Sequence, residues 1–102
     1  MIITDEILKE FKERMHLGDD EDSNLIRILS ASNKALIRDC GGYDIATDET
    51  FKEFVFERSR YVYNDALEYF NANFLSEINS LGVAKALDEI VLPVEGDVIE
   101  TV

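Results

Sequence analysis

The chain comprises 102 residues, 46% apolar and 31% charged, with 22 acids against 10 bases for a formal charge of -12. One domain is the expectation at that length, burying on the order of 60 to 65% of the unfolded chain's surface, and so much acid opposes tight binding of a phosphate backbone bearing about one negative charge per 1.7 Å of duplex. Cys40 stands alone, which excludes an intrachain disulfide framework and suits a reducing interior; no run of about 18 apolar residues and no basic-then-apolar leader marks a membrane or export segment, so a soluble chain is expected.

The first predicted helix opens at Thr4-Asp5-Glu6, where a hydroxyl cap precedes two acids that complement the helix dipole. Ile7, Leu8, Phe11 and Met15 mark its apolar face, and Gly18 is expected to stop it. Asp5 with Lys9 and Glu10 with Arg14 are acid-first pairs four residues apart, each supporting the helix by roughly 0.2 to 0.5 kcal/mol. Residues 19 to 22 are acids throughout, after which Ser23 or Asp22 can cap a second helix with Ile26, Leu29, Asn33, Leu36 and Cys40 on one face. Gly41-Gly42 ends it. Asn33 is the polar member of that seam, expected either as an edge amide satisfied by solvent or backbone or as a register-fixing group in a helix pairing.

Thr47-Asp48-Glu49 repeats the first cap and launches a third helix holding eight of the ten aromatic residues, between Phe51 and Phe74. Val55, Val62, Ala66 and Tyr69 form one stripe, while Phe56, Tyr63, Leu67, Phe70 and Phe74 form a second roughly 100° away. A helix apolar on two sides is the centre of a bundle or a subunit contact, and a chain this small cannot turn every ring inward. This helix is expected to run to about residue 70 or further, with a break near 71 to 73 where Asn71 and Asn73 are poor helix formers. Phe74, Leu75, Ile78 and Leu81 then resume a helical spacing, which Val83 to Leu87 continue or restart.

From Val91 the composition turns β-branched and is broken by Pro93 and Gly96, so extended backbone is favoured. Such a tail either frays as an ordinary terminus or lies along a partner, adding a strand to a sheet edge. The fold class expected is therefore all-α: a small antiparallel bundle of three to four helices over residues 1–87, with a long aromatic third helix, followed by an extended or disordered tail over 88–102.

Catalytic chemistry finds little footing. His16 and Cys40, one of each type, cannot build a multi-ligand zinc site or a nucleophile with its base, and both are expected to be structural. The acidic run from Asp19 lacks the glycine and glutamate positions of a calcium loop, and no P-loop, nucleophile elbow or dinucleotide fingerprint occurs. No enzyme activity, metal or cofactor is expected. Asp22-Ser23-Asn24-Leu25 resembles the prosthetic-group site of acyl carrier proteins, but Asn24 interrupts their Asp-Ser-Leu triplet and the aromatic third helix is foreign to them.

A broader resemblance covers about residues 3 to 87. Arg58-Ser59-Arg60-Tyr61-Val62-Tyr63-Asn64-Asp65-Ala66-Leu67-Glu68-Tyr69-Phe70, with Asn73-Phe74 and Glu77-Ile78-Asn79-Ser80-Leu81 after it, is similar to the head-tail connector proteins of tailed bacteriophages, the adaptor or head-completion family. Many of those carry a Trp in the middle of the third helix, where this chain offers Tyr61 and Tyr63. The resemblance implies a virion protein, made in the host cytoplasm and monomeric when isolated. It implies a ring of about twelve copies beneath the portal protein, extending the DNA channel without sequence-specific binding and presenting a platform for the next head-completion, or stopper, protein.

On that footing the candidate contact residues are Phe56, Arg58, Arg60, Tyr63, Phe70 and Phe74 on the aromatic helix, with Val91, Leu92, Val94, Val98 and Ile99 in the tail. The alternative from another class is a small acidic regulator or DNA mimic that occupies the basic surface of a protein partner.

Overall fold

The computed structural model describes residues 2–89, and within them the chain is entirely helical apart from its connections. The elements are α1 (Asp5–Met15), α2 (Asp22–Cys40), α3 (Glu49–Tyr63), a 3-10 turn (Leu67–Tyr69) and α4 (Phe70–Glu89). Directions alternate. Glu10 and Lys52, and Arg14 and Glu53, pair across α1 and α3, so these two run parallel. α4 folds back along α3, Phe74 meeting both Tyr61 and Phe54, and reaches the C-terminal end of α2, where Lys85 lies against Gly41. The result is the expected antiparallel bundle.

The Thr4 cap works as the sequence suggests, and α3 is capped one residue later than expected, by Asp48 and not Thr47. Thr4 Oγ1 accepts from the Ile7 N–H at 3.2 Å, and Asp48 Oδ1 accepts from the Phe51 N–H at 2.9 Å, each satisfying a donor that the helix itself leaves orphaned. At the start of α2, by contrast, Glu21 occupies the capping position without a side-chain bond, and neither Asp22 nor Ser23 caps the helix. Asp22 instead accepts from the Lys12 ammonium, at 2.9 Å.

The stop signals differ more. α1 closes at His16, in the left-handed conformation with φ 59, two residues before Gly18. The Leu17 N–H donates to the Lys12 carbonyl at 2.9 Å and the His16 N–H to that of Glu13 at 3.3 Å, the paired bonds of a Schellman ending. α3 ends the same way. Asp65, also at φ 59, donates to the Val62 carbonyl and Ala66 to that of Tyr61, so the aromatic helix stops at Tyr63 and not near residue 70. The expected break at 71 to 73 is thus displaced to 64 to 69. Asn71 and Asn73 lie inside α4, and Asn73 Nδ2 gains a partner in the Tyr61 hydroxyl at 2.9 Å.

Reversal at Asp65 shapes the core. It carries Phe70 back onto Tyr61, where the ring centroids are 5.6 Å apart, while Phe74, one turn further along α4, stacks on Phe70 at 4.9 Å. Phe11, Leu25, Leu29, Leu36, Phe51, Val55, Phe56 and Phe70 form one buried cluster drawn from all four helices. Each such side chain contributes roughly 1.5 to 3 kcal/mol by leaving water. Tyr43, on the α2–α3 connection, clips that loop to α4 by donating its hydroxyl to the Leu81 carbonyl at 2.7 Å. Within the tail expected over 88–102, Asp88 and Glu89 close α4, while residues 90–102 lie outside the described residues.

Candidate interaction surface

Geometry sorts the expected contact residues into three groups. Phe56 and Phe70 are each 1% exposed and belong to the core, so neither can present a ring to a partner. Phe56 packs against Phe11 at 5.4 Å, with the Arg14 guanidinium 5.2 Å from its centroid, and Phe70 was carried inward by the corner at Asp65. Their inclusion among contact residues is corrected accordingly.

The second group is held within the chain. Phe74 is half-buried between Phe54, Tyr61 and Phe70. Tyr63, also half-buried, donates its hydroxyl to the Glu21 carboxylate at 2.7 Å, which pushes the phenol pKa up. Arg60 pairs with Glu57 at 2.7 Å and lies over the Tyr61 ring. Arg58 donates to Ser32 Oγ at 3.1 Å, and burial, with Arg38 nearby, depresses its pKa. No described carboxylate forms a salt bridge with it. The third group, Val91, Leu92, Val94, Val98 and Ile99, lies outside the described residues.

Among the described residues, exposed apolar surface lies on α4 and the turn before it instead of on α3. Leu75, Val83 and Leu87 are 56%, 59% and 64% exposed, and Tyr69 just before the helix is 59% exposed. Leu75, Asn79, Val83 and Leu87 recur every four residues, and Ser76, Ser80 and Ala84 complete a shallow, mostly apolar groove beside them. From Phe70 to Leu87 the charged residues are Glu77 and Lys85 alone, and Lys85 is drawn over the Tyr43 ring at 5.0 Å. A helix with apolar residues on every side has one face in the core and another available to a neighbour. Sequence reasoning concentrated on rings and passed over these aliphatic residues, although the missing polar face of α4 was the signal.

Buried polar groups complete the picture. Asn33 Oδ1 and Ser59 Oγ are buried without a hydrogen-bond partner among the described residues, so no described backbone group satisfies the Asn33 oxygen. Ser32 and Ser59 are small residues where α2 meets α3, and their size lets the two helices approach. Cys40 is buried, and burial, reinforced by Asp39, pushes its thiol pKa up. Among the described residues no cluster of His, Cys, Asp and Glu is arranged to hold a metal ion, and no helix is long and apolar enough to cross a membrane. Compared with family models, curated proteins and solved structures, the chain finds no match.

Proposed function

We propose that this chain is a structural adaptor of a phage head-to-tail connector. Copies form a ring beneath the portal protein, extend the DNA channel and offer a platform to the stopper protein that follows. The observation that carries this is the exposed Leu75, Val83 and Leu87 face of α4, uncharged in a chain of net charge -12. Leaving such a face in water forgoes roughly 25 cal/mol for every Å² that a partner would cover. The helix order and the Arg58 to Phe70 string support the same reading. Excess acid serves a channel, because carboxylates repel passing phosphates within a Debye length of about 8 to 10 Å and keep DNA from sticking.

Sedimentation with purified portal protein tests the proposal. Wild-type chain co-migrates with the portal, and a Leu75→Asp, Leu87→Asp double variant, folded by circular dichroism, does not. A wild-type chain that stays monomeric beside the portal removes the adaptor role. The rival regulator role draws on a row of carboxylates along α1 and α3, Glu10, Glu13, Glu49 and Glu53, around one groove. Affinity capture that returns a basic DNA-binding protein and no portal would favour it.

A further inference from the structure

The charges of this acidic chain are sorted onto opposite sides. From Ser23 to Arg38 there is no acid at all, and Arg27, Ala31, Lys34 and Arg38 recur at steps of four, three and four on the exposed side of α2. Among the described residues neither Arg27 nor Lys34 has a carboxylate partner; Arg27 bonds to Asn24 Oδ1, and only Arg38 is paired, with adjacent Asp39 at 3.1 Å. Beside this cationic ridge lies a mainly apolar cleft lined by Ile2, Ser30, Asn33, Lys34 and Ile37.

The outer groove between α1 and α3 has the opposite sign. Glu10, Glu13, Glu49 and Glu53 line it with Arg14 and Lys52, and Glu6 continues the acidic row. Both bases are already engaged: Arg14 is gripped by both oxygens of Glu53 at 2.6 Å, and Lys52 bonds Glu10 at 2.8 Å. Glu13 makes no ion pair within the described residues, and Glu49 reaches Lys52 only at 3.4 Å while remaining 82% exposed at its side chain.

These surfaces face away from each other. α2 turns Leu25, Leu29 and Leu36 inward toward α1 and α3, so its outer ridge and the outer α1/α3 groove lie on opposite sides of the three-helix layer. A single helix can lie along the furrow between two others, so ridge and groove are compatible in form as well as opposite in charge. We infer that the α2 ridge of one copy docks into the α1/α3 groove of a second copy. Two different patches meeting in this way make a heterologous contact, the kind that propagates head to tail and closes into a ring when the rotation allows. The net charge of -12 opposes non-specific approach of two copies and is screened at moderate salt, while charge pairs enclosed in a ridge-to-groove contact are screened less. The contact leaves α4's apolar face free for unlike partners. It deepens the ring proposed above and rests on it.

Charge reversal with reciprocal rescue is the test. A ridge variant carries Arg27→Glu and Lys34→Glu, and a groove variant carries Glu13→Lys and Glu49→Lys; all four positions lie outside the buried core. Because the resemblance implies a monomer at ordinary concentration, sedimentation is run at about 1 mM chain and 0.1 M salt, where the wild type associates and either variant alone does so about tenfold or more weakly. An equimolar mixture of the two regains it, because each reversed surface then meets its complement. Folding of both variants is checked by circular dichroism. Variants that associate as the wild type does, a mixture that stays apart, or a wild-type chain that is monomeric under these conditions each overturn the ridge-to-groove contact. Portal co-migration judges the adaptor role separately, so failure of the contact is distinguishable from failure of the ring.

Discussion

Replacing Phe70 with Ala separates a core role from a contact role at one position. Phe70 is 1% exposed, stacks on Phe74 at 4.9 Å and meets the Tyr61 ring edge at 5.6 Å, so truncation removes a filled volume at the corner between α3 and α4. A Phe to Ala change in such a setting costs about 3 to 5 kcal/mol, out of a total that is roughly 5 to 15 kcal/mol for a domain. With about 4 to 8 °C of Tm for each kcal/mol at this size, the melting temperature falls by roughly 12 to 40 °C. Tyr69→Ala, one residue earlier at a side chain 59% exposed, serves as the control and shifts stability by no more than about 0.5 kcal/mol. Thermal and urea unfolding followed by circular dichroism give both values. Equal, small shifts for the two variants would refute the placement of Phe70 in the core, and with it the corner at Asp65.

The caps and the acid limb offer further checks. Thr4→Ala and Asp48→Ala each lose a side-chain acceptor at a helix start and lower stability by about 1 kcal/mol, whereas Ser23→Ala, at a position that caps nothing, costs less; urea midpoints rank the three. Arg14 holds the Glu53 carboxyl below its usual value of 4.5, so the unfolded chain binds more protons than the folded one there. The contribution of that pair is complete above pH 4.5 and is lost as pH falls through the depressed folded value, and for an exposed pair it amounts to about 0.2 to 1 kcal/mol after solvent screening. In Arg14→Gln the Glu53 titration midpoint, read from its side-chain carbon shift, rises; an unmoved midpoint would show that the pair does not persist in solution.

The starts of α1 and α3 were legible to within a residue because they are local, whereas that of α2 was not. Thr4 and Asp48 sit beside the donors they satisfy, and no distant residue is needed to recognise them. Of the helix ends, that of α2 at Gly41 was legible, whereas those of α1 and α3 were not, because His16 and Asp65, with no glycine at either position, adopt the left-handed conformation themselves. His, Asn and Asp are the side chains that enter this region most readily after glycine, so the clue was present but weak. One displaced break moves Phe70 from a surface stripe to the core and leaves the exposed apolar face on α4. The apolar face of α4 is written in composition alone, as Leu75, Val83 and Leu87 with few charges around them, and needed the packing of Ile78 and Leu81 to show which side was spare. The ridge on α2 was equally visible as an acid-free run, but its opposition to the α1/α3 groove is a property of three helices together.

The corner at Asp65 has a consequence for how the chain is made. A left-handed aspartate carries a cost of about 1 kcal/mol that glycine would have avoided, so the bend is not favoured by its own residues. Phe70 and Phe74 hold it, and on a ribosome they emerge after it. The closing turn of α3 therefore gains its ring contacts only once downstream sequence has arrived, and a nascent chain halted at Ala66 has only the backbone bonds to Val62 and Tyr61 to keep that direction.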